Sequence, residues 1–577
     1  MSIVTVNLSQ TALNTAITMR GQGSASTLAD SLDIFFQASH SFSAAHPYYS
    51  SASLTGSTGR LDFSDGGYEL YTGIVDLTPT ADNGRASATG IEEYSPNAFR
   101  LSFGGNLTFD YSTSASGTSI IGSGGTITAA TLHTLVPSNS SAYNSQLGNI
   151  TLSTHGSLLT SADGGFKGTL TSFDAGAERL VSSSNISGNF DVSGNGTDIG
   201  MGLSSTALSG TLSGFSNLYA DGSRVSMSGA SLAVTGASVI DERMFVDAAN
   251  FSGNDVFSIT LPGSVAAPWT IAAGSGDDSV TLRGGGGALS ADGGAGNDAI
   301  TLLDNGHAVD GGGGLDTVSL PGARSSFGIT RNGDTFVLTA AGQGNDVLRH
   351  VELLKFTDAT LSLEYNDVVQ ALYVAYFGRA ADFSGLANFQ QQLANLNAPH
   401  DFAGVSAAYD TNAGIRALID GFGSSDESKA LYSGDTSSFV TAIYKNVLSR
   451  APDSEGLNFW VDAIDHHGLT KANASLSIMA AALSNTTAQG QLDAALVDKR
   501  TTIAADFTFA LDTPAETLAY SGNMAAAAVR AMLAKVSAST DLAAFQTTVQ
   551  AALADLTNLQ THVGLVGVAG HDGALLA

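Results

Sequence analysis

Four glycine-rich stretches carry an aspartate and an apolar residue at fixed places, a pattern suited to binding a hard cation. "GGAGNDAIT" (293–301) and "GGGGLDTVS" (311–319) match the template G-G-x-G-x-D-x-U-x fully, where U is apolar. "AGSGDDSVT" (273–281) and "AGQGNDVLR" (341–349) depart from it by one Gly-to-Ala change. Calcium prefers about six to eight oxygen ligands. Glycine turns expose backbone carbonyls and the aspartate adds negative charge, so the pattern predicts calcium binding.

The candidate calcium ligands follow from the register of these stretches. They are Asp278, Asp298, Asp316, Asp346, Asp277, Gly276, Gly296 and Gly314. The spacing of the first three aspartates is close to the roughly 18-residue coil that two nonapeptides make. The half-coils 284–292 and 302–310 lack an aspartate at the liganding position, so calcium is expected along one edge only.

These stretches resemble the calcium-binding repeats of RTX exoproteins of Gram-negative bacteria. The resemblance covers residues 273–350 and implies a calcium β-roll and export by type I secretion machinery, with an uncleaved signal near the C-terminus. The tail "HVGLVGVAGHDGALLA" (562–577) also resembles a type I secretion signal. Extracellular calcium modules bind at about 10⁻⁴ to 10⁻³ M, so cytosolic calcium would leave the roll unfolded and exportable.

A weaker repeat precedes the aspartate stretches. Glycine followed by alternating polar and apolar residues recurs at Gly59, Gly105, Gly125, Gly148, Gly168, Gly188, Gly210 and Gly229. Alternation is typical of strands, and a fixed period of roughly 20 residues indicates coils that stack. We therefore expect a mostly β solenoid, a parallel β-helix that continues into the roll. An antiparallel sandwich whose hairpins recur at this length is the alternative.

The region after residue 364 contains a duplicated helical motif. "LYVAYFGRAADFSGLANF" (372–389) aligns without a gap with "IYKNVLSRAPDSEGLNFW" (443–460). Each copy reads as a helix, a turn with R-x-x-D-x-x-G-L, and a second helix. The candidate ligand-binding residues are Arg379, Asp382, Arg450, Asp453 and Trp460. A capped turn with a local ion pair is the structural alternative for the arginines and aspartates.

This motif resembles a helical domain of unknown function that often accompanies RTX repeats. More loosely, it is similar to the helical anchoring region of Gram-negative S-layer proteins, which contacts lipopolysaccharide. The second resemblance implies attachment to a surface glycan.

Composition narrows the classes of partner and compartment. The formal net charge is −29, which repels nucleic acids and anionic membranes and attracts divalent cations. The chain has no cysteine, hence no disulfide framework. The first residues lack the pattern of a Sec signal peptide, and no apolar run approaches the length of a membrane span. We expect no nucleic-acid partner, no membrane insertion and an extracellular location.

These observations predict five segments. They are an N-terminal cap (1–51) with a short helix in "TLADSLDIFFQA", a β-solenoid (52–272), a calcium β-roll with a closing hairpin (273–363), the duplicated helical module (364–515) and a helical tail with the secretion signal (516–577).

The expected function is that of a calcium-dependent secreted cell-surface or matrix protein of the S-layer, filament or adhesin type. It would self-associate and attach to surface polysaccharide or lipopolysaccharide. No H-E-x-x-H, nucleophile elbow, P-loop or dinucleotide motif is found, so we do not expect an enzyme. A carbohydrate-active β-helix enzyme, such as a polysaccharide lyase or epimerase, is the alternative.

Overall fold

The chain divides into two compact units, Met1–Ala295 and Gly296–Ala577. A computed structural model describes residues 1–10, 12, 37–39, 41–46, 48–76, 83–114, 117–141, 148–160, 165–177, 181–194, 206–238, 240, 242–263, 265 and 268–569. The apolar residues of the predicted N-terminal helix and the last part of the predicted secretion signal, 570–577, lie outside this description.

The first unit consists mainly of β-strands. They are β1 (Ile3–Asn7), β2 (Ser51–Thr55), β3 (Thr58–Asp62), β4 (Tyr68–Thr72), β5 (Val75–Asp76), β6 (Asn83–Ser95), β7 (Phe99–Ser114), β8 (Gly117–Thr134), β9 (Ile150–Thr160), β10 (Phe166–Ala177), β11 (Val181–Gly194), β12 (Ala207–Tyr219), β13 (Arg224–Thr235), β14 (Val256–Thr260), β15 (Trp269–Ala272), β16 (Ser279–Arg283) and β17 (Leu289–Asp292). Short 3₁₀ turns at Glu242–Val246 and Ala248–Asn250 precede β14.

The long strands of this unit run antiparallel. From β2 to β13 each strand pairs with its neighbour in chain order, except that β4 and β5 both pair with β6. The prediction of a parallel β-helix over residues 52–272 is therefore corrected as far as β13, which ends at residue 235, because strands β2 to β13 form an antiparallel sheet. This antiparallel direction is the one that the alternative, an antiparallel sandwich, predicted. Strands β14 and β15 of the same range pair in parallel.

The recurring glycines explain the misleading period. Gly105, Gly125 and Gly168 lie inside three different strands. One period is thus one long strand with its turn, rather than a coil of short strands. A Cβ atom at Gly168 would lie 1.9 Å from the carbonyl oxygen of Ser157 on the neighbouring strand. Glycine is needed where two long strands approach closely.

Strand β1 joins this sheet to a set of parallel strands. It pairs antiparallel with β13 (Ile3↔Ser228) and parallel with β14 (Ile3↔Val256). Its apolar residues Val4 and Val6 are buried. Farther along, β14 pairs in parallel with β16, and β15 in parallel with β17. The parallel geometry thus begins at β1 and β14.

The second unit begins with short strands and continues with helices. The strands are β18 (Ala299–Leu302), β19 (Ala308–Asp310), β20 (Thr317–Ser319), β21 (Phe327–Asn332), β22 (Thr335–Ala340), β23 (Asp346–Arg349), β24 (Leu353–Lys355) and β25 (Thr360–Ser362). Strand β20 pairs in parallel with β18 and β24, and β19 in parallel with β23. The β21–β22 hairpin pairs antiparallel with β23. Ile300 and Val318 hold the same position in two repeats, are paired in register and are both buried.

The helices occupy the rest of this unit. They are α1 (Asn366–Phe377), α2 (Phe383–Asn395), α3 (Phe402–Ala408), α4 (Ala413–Ser424), α5 (Asp426–Leu431), α6 (Thr436–Leu448), α7 (Ser454–His466), α8 (Lys471–Ser484), α9 (Ala488–Ala510), α10 (Pro514–Ala519), α11 (Gly522–Leu533) and α12 (Leu542–Ala569). An Asp, Asn, Ser or Thr side chain caps each helix from α2 to α10. Within the described residues, none of the helices is long and apolar enough to cross a membrane.

The β21–β22 hairpin contacts the helices through an aromatic pair and a polar network. The ring centroids of Phe336 of β22 and Phe509 of α9 are 5.9 Å apart. The Arg331 backbone N–H of β21 donates to Asp506 Oδ1 of α9 at 2.7 Å, and its guanidinium donates to Thr502 Oγ1 at 3.0 Å. The predicted boundary near residue 363 is therefore crossed by direct contacts between the hairpin and α9.

Candidate metal centre

The turns of the aspartate stretches have a backbone that only glycine fits. Gly276, Gly296 and Gly314 have φ values of 122°, 131° and 142°. A Cβ atom on Gly314 would lie 2.0 Å from the carbonyl oxygen of Gly296. The glycines therefore allow successive turns to stack directly on one another.

The aspartates of these turns are buried and accept hydrogen bonds from the backbone of the adjacent turn. In the first unit, the Asp255 N–H donates to Asp278 Oδ1 at 2.7 Å. In the second unit, the Asp298 N–H donates to Asp316 Oδ1 at 2.8 Å, and the Asp316 N–H donates to Glu352 Oε2 at 2.8 Å. These four aspartates have 2% or less of their surface exposed. In each unit the carboxylates of successive turns therefore form a row, with one carboxylate at each turn.

Asp346 belongs to a different row from Asp298 and Asp316. It begins β23, which pairs with β19, whereas Asp298 and Asp316 precede β18 and β20. Its Oδ1 accepts from the backbone N–H groups of Gly306 and His307 at 2.8 and 2.9 Å. The structure therefore brings Asp298 and Asp316 together but places Asp346 apart from both.

Several of these carboxylates are held at an electrostatic cost. Burial raises the pKa of Asp316 to about 6. The hydrogen bond from the Asp298 N–H lowers this pKa, whereas the like charges of Glu352, Asp298 and Asp310 raise it further. Burial also raises the pKa of Asp346 and of Glu352. A cation beside these groups would favour their ionised forms.

The residues fit a calcium ion in their chemistry. The Oδ2 atoms of Asp255, Asp316 and Asp346 are buried and have no hydrogen-bond partner among the described residues. Each is a hard oxygen donor next to a glycine turn, which is the donor type that calcium prefers. In the described part of the chain, no group of three or more His, Asp or Glu side chains is arranged to hold a metal. Calcium would therefore draw much of its coordination from backbone carbonyls.

Two members of the carboxylate rows were missed by the sequence analysis. Asp255 lies in "FSGNDVFSI", where the tripeptide G-N-D and an apolar Phe257 repeat the pattern without the first glycines. The same G-N-D precedes β18 and overlaps the start of β23, so this signal was available in the sequence. Glu352 follows no glycine turn, and only its pairing with Asp316 reveals it.

Asp277 differs from the other predicted ligands. Its side chain is exposed, and its backbone N–H donates to Asn254 Oδ1 at 3.1 Å. Asn254 stands one position before Asp255, as Asp277 stands before Asp278. This position therefore links adjacent turns at the surface instead of inside the row.

In the helical motif, the predicted arginines make ion pairs with acidic residues of later helices. Arg379 donates from Nε and Nη2 to the two carboxylate oxygens of Glu427 at 2.8 and 2.9 Å. Arg450 donates from Nη2 to Asp493 Oδ2 at 2.6 Å. Two-pronged contacts of this kind fix the guanidinium plane.

The aspartates of the same motif cap helices. Asp382 Oδ1 accepts from the Gly385 N–H at 2.8 Å, and Asp453 Oδ1 from the Gly456 N–H at 2.7 Å. These contacts are the capped turn of the structural alternative. The first copy also has the local ion pair of this alternative, with Arg379 Nη1 3.7 Å from Asp382 Oδ2. The pair between Arg379 and Glu427 comes in addition and is not local, because Glu427 lies 48 positions after Arg379.

The two aromatic positions of the motif have different surroundings. Phe389 packs on Phe422, with ring centroids 4.4 Å apart. Trp460 is half-buried and donates from Nε1 to the Tyr444 hydroxyl at 3.2 Å. Phe459, which the sequence analysis did not single out, lies beside Trp460 and is 62% exposed.

Comparison with known proteins identifies part of the helical region. The family model of a domain of unknown function (DUF4214) matches residues 419–485. This range contains the second copy of the motif, including Arg450 and Trp460. No curated protein matches the chain. The match supports the resemblance to a helical domain of unknown function and assigns no activity.

Proposed function

We propose that the chain is a calcium-dependent protein of the bacterial cell surface or extracellular matrix. The observation that carries this proposal is the series of buried aspartates at stacked glycine turns, in which Asp316 and Asp346 each keep one oxygen without a hydrogen-bond partner among the described residues. Such a series is costly at neutral pH unless a cation accompanies it. Millimolar calcium outside the cell would supply that cation.

The RTX resemblance extends the proposal to calcium β-roll folding and export. The rows of aspartates would become a calcium β-roll only after the chain meets extracellular calcium, so an unfolded chain would pass through type I secretion machinery. The signal would lie in the tail beyond Leu556, the last residue of the buried helical core among the side chains that the structure describes. Deleting residues 563–577 removes none of these described core residues and should retain the protein inside the cell. Normal export of this deletion would contradict the assignment.

We further propose a division of labour between the two parts of the chain. The antiparallel sheet would be the assembling element, because its strands are long and rich in small residues. The helical region would attach to surface polysaccharide or lipopolysaccharide, as its resemblance to S-layer anchors implies. Phe459 and Trp460 provide exposed and half-exposed aromatic surface in this region. Aromatic rings of this kind suit either sugar or protein partners.

The test uses the full-length protein with calcium and with excess chelator. In calcium, residues 273–350 should resist protease, and the protein should bind lipopolysaccharide or cells. Chelation should expose this region to protease. Unchanged proteolysis in chelator would contradict the calcium proposal, and failure to bind any surface glycan would contradict attachment.

The same samples address the enzyme alternative. Incubation with acidic polysaccharides should leave viscosity and ultraviolet absorbance unchanged if the protein is structural. Unsaturated products would instead identify a lyase.

A further inference from the structure

A surface cavity of about 340 Å³ lies between the turn of the first motif copy and the later helices α5, α10 and α11. Its lining includes Asp382 and Ser384 at the start of α2, Glu427 of α5 and Asn523 of α11. Ser384 and Asn523 are exposed, so the cavity opens to solvent. Its volume is within the range of about 300 to 1,000 Å³ that small-molecule sites commonly have. The cavity can therefore receive a small ligand from solution.

The charged groups around this cavity balance one another. Arg379 and Arg530 both donate to Glu427, with Arg530 Nη1 2.8 Å from Glu427 Oε1. Burial raises the pKa of Glu427, but the hydrogen bonds and charges of the two arginines hold this pKa below its ordinary value, so Glu427 stays ionised. Asp382 supplies a second carboxylate, whose Oδ2 is 3.7 Å from Arg379 Nη1. The charges of these two arginines and two carboxylates therefore cancel.

Hydrogen-bonding groups of both kinds remain unused in the lining. Asp382 Oδ1 accepts from the Ser384 hydroxyl at 2.8 Å, whereas Asp382 Oδ2 accepts no hydrogen bond from the described residues. None of the described side chains caps α11, so the N–H groups of Gly522 and Asn523 in its first turn are left as donors. The Asn523 side chain adds an amide, which both donates and accepts. The cavity thus offers an acceptor at the start of α2 and donors at the start of α11.

We propose that this cavity binds one unit of a neutral sugar. An anion would meet the carboxylates of Asp382 and Glu427, and a cation would meet Arg379 and the positive end of the α11 dipole. An apolar ligand would leave the unused donors and acceptors unpaired. A sugar hydroxyl both donates and accepts, so neighbouring hydroxyls can bond to a carboxylate and to N–H groups at once. Phe383, half-buried in the same lining, adds an apolar ring beside these groups.

The second copy of the motif does not reproduce this lining. The gapless alignment of the two copies pairs Phe383 with Ser454 and Ser384 with Glu455. The second copy thus has a hydroxyl in place of the apolar ring and an additional carboxylate in place of the hydroxyl. We therefore place the sugar site at the first copy, although both copies share the arginine and the aspartate of the turn.

This inference rests on the proposed attachment of the helical region to surface glycan and assigns that contact to one site. The test presents the full-length protein, in calcium, with an array of oligosaccharides. Oligosaccharides of neutral hexoses and 6-deoxyhexoses should bind. Anionic alginate and cationic chitosan oligosaccharides should bind at least about ten-fold more weakly, because like charges would face each other inside the cavity. Equal or stronger binding of either charged class would overturn the argument from charge.

Substitutions in the lining assign the binding to this cavity. Asn523→Leu should weaken binding of the neutral oligosaccharides roughly five- to ten-fold, because it replaces an amide by an apolar side chain. Met524→Leu is the matched control, since Met524 is the next residue of α11, is 80% exposed and is not part of the lining. Ser384→Leu should act like Asn523→Leu, and Glu455→Leu, at the aligned position of the second copy, is its control. Thermal melts should show all four variants folded.

The outcomes separate this site from the general proposal of attachment. If Asn523→Leu and Ser384→Leu bind as the wild type does, or if their controls lose as much, the cavity is overturned while attachment stands. A wild-type protein that binds lipopolysaccharide or cells but no neutral oligosaccharide also overturns the sugar site alone. A protein that binds no surface glycan at all overturns both.

Discussion

Replacing Asp316 by alanine tests the metal centre most directly. Its carboxylate is fully buried, and its Oδ1 accepts the Asp298 N–H at 2.8 Å. Without calcium, alanine orphans this amide, at a cost of about 1 to 3 kcal/mol. The substitution also removes a carboxylate that is costly to keep ionised at neutral pH, because burial raises its pKa to about 6. Removing this carboxylate offsets much of the cost of the orphaned amide. The net change in chelator should be small.

With calcium the same substitution should be clearly destabilising. At about 10 mM calcium and a dissociation constant of about 10⁻⁴ to 10⁻³ M, each site stabilises the folded state by about 1.4 to 2.7 kcal/mol. Losing one site should therefore lower the melting temperature by about 3 to 10 °C. Asp298→Ala should behave alike. Differential scanning calorimetry with calcium and with chelator measures both states.

Asp304→Ala is the matched control. Asp304 is in the same region, but its side chain is 43% exposed and pairs with His307 Nε2 at 2.9 Å. It is off the liganding position, so its replacement should have a similar effect with and without calcium. Equal calcium stabilisation of the Asp316→Ala variant and the wild type would refute the proposed ligand role. Equal losses for Asp316→Ala and Asp304→Ala in calcium would refute the register of the repeat.

Three further substitutions test other parts of the argument. Burial raises the pKa of Glu93 to about 8. The unfolding free energy of the wild type, measured in urea and compared with that of Glu93→Gln, should therefore fall by about 1.4 kcal/mol per pH unit between about pH 5 and 8. Above about pH 8 this difference should stay constant. Gly314→Ala should abolish calcium-dependent protease resistance because of its backbone clash, whereas Gly333→Ala, at an open hairpin turn, should keep it. Arg450→Ala should cost about 3 to 5 kcal/mol in thermal melts, because it leaves the buried carboxylate of Asp493 without its cationic partner. An unchanged melt would deny Arg450 this structural role.

Over residues 52–272 the sequence predicted the strands well, but it predicted their direction wrongly as far as β13, which ends at residue 235. Alternation of polar and apolar residues reports one buried face, and that face is similar in parallel and antiparallel sheets. The glycine period was real but came from residues such as Gly125 and Gly168, each placed where its strand closely approaches a neighbour. Direction depends on the turns and on pairing between distant residues, as in β1 at the start of the chain, which pairs with β13 and β14.

The aspartate turns were predictable because their chemistry is local. A glycine with positive φ, an aspartate and an apolar residue fit within one nonapeptide, and Ile300 and Val318 are buried at 0% exposure as the register requires. Glu352 could not be predicted in this way. It enters the row through a bond to the backbone of Asp316, 36 positions earlier, and no glycine turn marks it.

The duplicated motif shows why residue type alone could not assign a role. Arg379 and Arg450 occupy equivalent positions, yet Glu427 of α5 binds the first and Asp493 of α9 binds the second. The acid for the first arginine lies 48 positions after it and the acid for the second lies 43 positions after it, so neither partner belongs to the aligned stretch. The two copies therefore keep the same turn while different later helices complete its ion pair. What each arginine does depends on a residue outside the motif, and an alignment of the motif cannot reveal that residue.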